Sequence, residues 1–454
     1  MRISSPPPPA RARNVRYPDC FEHRMENGLT VLTAANSRLP KVSATLALPI
    51  GQAHSPFDCY GLTQLTADLL REGTKRRSSE EISEEMDRWA IEYESEVTLE
   101  HTLLSVGALD RFLERALTLL TEMLLEPSFP EQELEKMKTR WRSELLSQRA
   151  DPGFLAGERL SRQLFPKHPY GRVAMTPAEL ERADRESVQT FHATRFSPRG
   201  AYLLFAGAVD HSESIRLAER CFGDWTPPSI PMAALPEPTR HAAPGVYLVD
   251  RPNSVQTRLH VGSRCLRRSD PDLIPLSVAN QIFGGGGSAR LFLNLREEKG
   301  YTYGAYSQLS AFSQSGLLTA GASIRTDALS DSIRQTFFEM DRMQQEPASP
   351  DELHRSQSEL IGAFVRRLET PASLGSMELV RRLYQLPENY YREFIPRIKS
   401  VTLEQVLEKA REWFLPERFS IVAVGDRSQI EPFLQELGPV RVFDGEAFSI
   451  DQEL

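Results

Sequence analysis

The chain has few cysteines and no pairing pattern among them. Cys20, Cys59, Cys221 and Cys265 are widely spaced with no C-x-x-C, which excludes a disulfide framework and a thiolate metal cluster. Buried free thiols of a reducing compartment are expected. No apolar run is long enough to span a membrane. The N-terminal MRISSPPPPARARNVRYP lacks the apolar stretch of a secretory signal, so a cytoplasmic location is expected. Positive charge is not in excess. Lys and Arg number 54 against 62 Asp and Glu, a net charge of −8, which argues against a general nucleic-acid surface. The nine histidines (His23, His54, His101, His168, His192, His211, His241, His260 and His354) include no pair at metal-ligand spacing on one helix. His168, in KHPYG, reads as a loop residue that positions backbone. There is no serine nucleophile elbow, no Cys–His arrangement and no dinucleotide glycine fingerprint. The glycine run 284–287 lacks the Lys-Ser/Thr of a phosphate loop and reads as a turn between two helices.

What is present is ordinary globular material on a generous scale. The 454 residues, 40% hydrophobic, suffice for two domains with their own cores. Residues 1–18, with four consecutive prolines, are expected to be a disordered tail. Residues 226–245, rich in Pro and Ala, read as a linker between an N-terminal domain over 19–225 and a C-terminal domain over 246–454. The two stretches look like an internal duplication. Val42 matches Val255, and FSPRGAYLLFAGAVD around Pro198 matches FLPERFSIVAVGD around Pro416, at nearly equal offsets. Each half runs from strands to helices and back. SEEISEEMDRW predicts a helix over Ser79–Trp89 capped by Ser78 or Ser79. Residues 93–106 alternate as strands. Apolar spacing predicts long helices over 111–125 and 130–148, matched in the second half by 328–345 and 350–368. Strands with paired long helices and no strict βαβ rhythm point to an α+β fold.

Two segments carry the chemistry. Residues 61–74 read GLTQLTADLLREGT, and residues 284–307 read GGGGSARLFLNLREEKGYTYGAYS. Both resemble signature segments of the pitrilysin-like metallopeptidases, the insulinase and mitochondrial processing peptidase family. That family carries its inverted zinc motif H-x-x-E-H inside a frame like that of the first segment. Here Gly61, Leu62, Gly73 and Thr74 keep the frame, while the ligand and base positions are Gln64, Ala67 and Asp68. The family's third ligand, a glutamate on a later helix, falls at Glu144, and its supporting glutamate falls at Met137. A catalytic zinc wants three His, Glu or Cys ligands, with a nearby base to take the proton from its water. Gln64 is a weak neutral ligand and Ala67 supplies no base, so no metal is expected on this chain. The bland reading of Glu144 is a solvated charge on a helix rich in charge. In the second segment Ser288, Arg290, Leu291, Leu295, Arg296, Glu297, Gly300, Tyr303 and Ser307 all match the family frame.

The resemblance covers most of the chain and implies two tandem homologous domains, each an antiparallel sheet covered by helices, forming half of a clam-shell. It implies that Arg296 and Tyr303 reach substrate in a closed chamber. A guanidinium can fix peptide carbonyls, and a phenol can donate to a developing oxyanion. It further implies a similar-sized partner bearing H-x-x-E-H and zinc, with unfolded peptides or small proteins as substrate. Relatives bind substrate along an edge strand carrying Asn-Ala about eight residues before a Thr; here Glu94 and Ser95 precede Thr102, a departure. Three readings stand: a non-catalytic substrate-binding subunit, a non-proteolytic scaffold subunit, or an enzyme using Asp68, Glu144 and Gln64 with a hard cation.

Overall fold

The computed structural model describes residues 19–229, 234–239 and 243–448. The proline-rich tail expected over 1–18 lies outside them, as does part of the linker expected over 226–245. The first sheet contains β1 (Phe21–Arg24), β2 (Thr30–Ala35), β3 (Lys41–Leu48), β4 (Glu92–Val97), β5 (Thr102–Leu109) and β6 (Tyr202–Gly207), in the order β1-β2-β6-β3-β5-β4. The second contains β7 (Val246–Asp250), β8 (Gln256–Cys265), β9 (Thr302–Ala311), β10 (Gly316–Arg325), β11 (Ser420–Gly425) and β12 (Val440–Asp444), in the order β12-β7-β11-β8-β10-β9.

Five strands of each sheet correspond in order, which is the duplication in three dimensions. The sixth differs. β1 precedes β2 and runs antiparallel to it, whereas β12 closes the second half and runs parallel to β7. β2–β6 and β7–β11 are also parallel, so both sheets are mixed rather than wholly antiparallel as expected. A parallel pair needs a long crossover, and the helical layer of each half lies between the two strands concerned.

The duplication is also registered differently from the sequence match. β3 and β8 share one burial pattern from their first residues, so Val42 corresponds to Thr257, both on the core face. Val255 lies before β8 and is 90% exposed. A two-residue slip keeps every side chain on its face, so alternation alone does not reveal it.

Five helices of the first half are used below: α1 (Leu62–Leu69), α2 (Ser79–Trp89), α3 (Leu113–Leu125), α4 (Glu131–Ala150) and α5 (Pro152–Leu164). Ser78 caps α2, and Glu81 accepts from Ser78 N at 2.8 Å, completing a capping box. The expected second pair of long helices is found at Leu329–Gln345 and Pro350–Arg367.

Each half lends a helix to the other. Leu155, Ala156, Leu160 and Leu164 of α5 pack on Tyr247, Val249, Val422 and Val424 of β7 and β11. In return, Leu379 of helix Pro371–Leu383 packs on Leu32, Leu204 and Ala206 of the first sheet. Gly375 makes this possible, since a Cβ there would stand 2.2 Å from Leu204. β6 and β11 are thereby covered on both faces, as their unbroken apolar runs YLLFAG and SIVAVG require. The exchange leaves an open face over β9 and β10. Among the described residues no helix is long and apolar enough to cross a membrane.

Candidate functional site

The frame of the first segment is held by backbone geometry, not by chemistry. Gly61, preceding α1, has φ 91°, and Gly73 has φ 147°, both in the left-handed region that favours glycine. Thr74 donates to Glu122 at 2.6 Å and accepts from Arg76 N and Arg77 N. These residues are needed whether or not a metal is bound, so the frame can outlast the function.

Gln64, Asp68 and Glu144 converge on one cavity of about 370 Å³, walled also by Tyr60, Trp141 and Met175. Ala67 is buried behind it, and Met137 is part of the first core. Glu144 is exposed on α4, as the bland reading expects, but its carboxyl edge faces the same cavity. Gln64 donates to Asp68 at 2.8 Å and Gln148 to Glu144 at 3.5 Å, so each carboxylate is paired with an amide. Among the described residues no group of three His, Cys, Asp or Glu is placed to hold a metal ion. Two carboxylates tied to amides, with no imidazole or thiolate, do not fit a catalytic zinc.

Burial raises the Asp68 carboxyl from its ordinary value to about 6; the Gln64 hydrogen bond offsets part of this, and Glu144 adds to it. In the unfolded chain the carboxyl returns to ordinary acidity. The folded state therefore holds the proton to higher pH, and stability falls as pH rises through that interval. Asp68→Asn should stabilise the chain at about pH 7.5 by on the order of 1–2 kcal/mol, with the gain vanishing below about pH 4. Thermal unfolding of both proteins across this range measures it, and a pH-independent difference would contradict the assignment.

The second segment divides into residues with structural tasks and two, Arg296 and Tyr303, that lie at the surface. Arg290 is buried and ion-paired to Glu352 at 2.7 Å. Ser288 donates to Glu359 at 3.1 Å, and Ser307 to Asn280 at 2.7 Å. Gly284 ends the helix Leu273–Gly284, and a Cβ there would meet Ser307 N at 2.7 Å, so the glycine run begins as a close-packing device before its expected turn. Arg296 lies on a π-helical turn, Leu293–Glu298, with its guanidinium over the Phe292 ring at 4.8 Å and 3.4 Å from Glu297. π-helical turns recur at functional sites. Phe292 also packs on Tyr306, with ring centroids 5.5 Å apart, and so connects Arg296 to β9.

Tyr303 sits in a β-bulge. Ala305 pairs with Ala322 and Thr302 with Ile324, so Tyr303 and Gly304 together oppose Ser323. Without the extra residue Tyr303 would share the core face of Ala305 and Ser307. With it, Tyr303 joins Tyr306 and Gln308 on the open face, 90% exposed. Thr302 pins the bulge, donating to Ser323 O at 2.7 Å and accepting from Gly304 N at 3.1 Å. Among the described residues the Tyr303 hydroxyl has no hydrogen-bond partner, which leaves it able to donate to a ligand. Sequence reading missed the bulge, although a glycine inside a strand, Gly304, is its signal. No hydrogen bond, ion pair or shared cavity joins Arg296 or Tyr303 to Gln64, Asp68 or Glu144 among the described residues.

The two sheet edges differ in the same sense. β4, holding Glu94 and Ser95, exposes Glu92, Glu94 and Glu96, and charge on an edge opposes strand addition. β9 is the other edge and reads TYGAYSQLSA, with no charge. His168 behaves as expected: Nδ1 accepts from Tyr170 N at 3.1 Å, which leaves Nε2–H to donate to Pro236 O at 2.8 Å. All four cysteines are free, but only Cys265 is fully buried, so the expectation of buried thiols holds for one of them.

Comparison with known proteins places these features in context. The family model described as insulinase (peptidase family M16) matches residues 30–178, and that described as the peptidase M16 inactive domain matches 182–360. An uncharacterised zinc protease of Bacillus subtilis is 25% identical over 86% of this chain and 94% of its own length. One from Mycobacterium tuberculosis is 27% identical over 91% and 94%. Among solved structures, a peptidase M16 inactive domain from Pseudomonas fluorescens superposes with a TM-score of 0.84 at 22% identity, covering 90% of this chain and 98% of that one. A protease from Helicobacter pylori gives 0.81 at 15% identity, covering 90% and 99%.

Proposed function

Because the chain belongs to the insulinase (M16) peptidase family yet carries Gln64, Ala67 and Asp68 where H-x-x-E-H would stand, we propose that it is the non-catalytic, substrate-binding subunit of a two-chain peptidase. The observation that carries this reading is Tyr303, turned by a pinned bulge onto an open face with its hydroxyl unpartnered.

The partner is a homologous chain with an intact H-x-x-E-H, which supplies the zinc and the base. This chain supplies position. The uncharged edge β9 offers main-chain hydrogen bonds to an extended peptide, Arg296 steadies peptide carbonyls, and Tyr303 donates to the oxygen on which charge develops. Substrates are unfolded peptides short enough to be enclosed between two such chains.

Purifying the tagged chain from its native host tests this. A stoichiometric companion bearing H-x-x-E-H is expected, with peptide cleavage by the pair and not by this chain alone. A chain found alone, or in an assembly with no such companion, would favour the scaffold reading and leave Arg296 and Tyr303 without a task.

A further inference from the structure

Among the residues that line the groove beside Tyr303, one is ionised, Arg258. Together with His260, Tyr303, Tyr306 and Ser323 it walls a groove of about 650 Å³. The walls are cross-strand rows. Arg258 of β8 stands opposite Ser323 of β10, which faces the bulge at Tyr303 and Gly304. Next to it, His260 stands opposite Gly321, which faces Tyr306. Gly321 keeps the floor low, since a Cβ there would stand 2.5 Å from the His260 ring. Strands lie about 4.8 Å apart, so the rows span about 10 Å from Arg258 to the bulge, the length of about three extended residues.

Arg258 is held rigidly, but only by neutral groups. Its Nε and one terminal nitrogen donate to His260 Nε2 at 3.1 and 3.0 Å, and the other terminal nitrogen donates to Ser323 Oγ at 3.2 Å. Burial, reinforced by the Arg258 charge itself, lowers the His260 pKa to about 4, so the ring stays a neutral acceptor near neutral pH. Asp151 contributes a negative charge nearby, but its carboxylate caps α5, accepting from Gly153 N at 2.8 Å. Arg258 forms no ion pair among the described residues, and two of the guanidinium's five N–H donors are left without a protein acceptor. A half-buried cation without a counter-ion is unfavourable, and the groove gives an anion access to it.

We propose that this groove recognises a carboxylate on the bound peptide, an acidic side chain or the C-terminal carboxylate, with Arg258 as its counter-ion. This rests on the reading of β9 as a substrate edge. The uncharged edge supplies affinity indifferent to side chains, and Arg258 supplies selection. Because His260 and Ser323 already fix the guanidinium plane, little side-chain freedom is lost when the carboxylate docks.

The test uses the full-length chain and three octapeptides carrying an uncharged dansyl label: one with a central Glu and an amidated C-terminus, its central-Gln counterpart, and the Gln peptide with a free C-terminus. Fluorescence anisotropy should give at least about tenfold tighter binding for one carboxylate peptide than for the Gln amide, and which one identifies the source. Arg258→Gln should abolish the difference without weakening the Gln amide, and Arg258→Lys, with charge but no fork, should retain part of it. Equal binding of all three peptides to the wild type overturns this inference and leaves the substrate-binding reading standing. Binding of none overturns both. A preference that survives in a folded Arg258→Gln also overturns it, and if that variant fails to unfold cooperatively, the Lys variant and the wild-type comparison decide.

Discussion

Tyr303→Phe should lower kcat of the assembled pair by about 10²–10³-fold, the effect of removing one oxyanion donor from an acyl-transfer site. KM should change little, because a bond made only as charge develops contributes to the transition state and not to ground-state binding. The substitution is structurally mild. Tyr303 is 90% exposed and its hydroxyl has no partner among the described residues, so nothing inside the fold is left unsatisfied. Arg296→Ala should raise KM as well as lower kcat, since a guanidinium holding peptide carbonyls acts on bound substrate too. Its loss frees only a half-exposed contact with Phe292 and Glu297. Assembly with the partner should survive in both variants. Steady-state kinetics on the reconstituted pair decide it, and wild-type rates in both would end the split-site reading.

Glu100→Ala should destabilise the chain by about 3–5 kcal/mol, because it orphans several buried donors at about 1–3 kcal/mol each. Glu100 lies in the turn between β4 and β5 and is 3% exposed. Its carboxylate accepts from the Tyr170 hydroxyl, from the Ser313 hydroxyl, and from Ser313 N at 3.1 Å. Ser313 lies in the turn joining β9 to β10, so the carboxylate fastens the second half's hairpin to the first half. No ion pair supports it among the described residues, so hydroxyl and amide donors, the Tyr384 hydroxyl included, are its protein partners. Glu100→Gln, with one acceptor oxygen left, should recover about half of the loss. Urea unfolding gives the magnitude, and in the Ala variant the transitions of the two halves should move apart. An unchanged midpoint in the Ala variant would mean that the helix exchange alone holds the halves together.

Much of this was legible along the chain. Helix α2 and its cap follow from Ser78 and Glu81, three residues apart, and the long helices follow from apolar spacing. The retired motif is legible because ligand chemistry belongs to residue type: no packing turns Ala67 into a base. The matched frame in the second segment marked Arg296 and Tyr303; the structure places Arg296 on a π-helical turn against Phe292 and Glu297, and Tyr303 in an exposed bulge. Other features were hidden for stated reasons. The slip that matched Val42 to Val255 preserves strand parity, so periodicity could not expose it. Nothing in the sequence around Arg258 singles it out, because only β10 and α5 make it a half-buried cation without an ion-pair partner among the described residues.

Residue chemistry and local periodicity therefore settled which groups exist and which elements carry them, since both depend on neighbours a few positions away. Orientation and contact were decided elsewhere. Whether Tyr303 points to the core or to the groove depends on one extra residue opposite Ser323, a matter of pairing between strands. Whether β6 and β11 are covered on both faces depends on helices lent from the opposite half, because an apolar strand specifies that it must be buried but not by what. Glu100 is a solvated carboxylate in the isolated turn and becomes the bond between the halves only once Ser313 is brought against it.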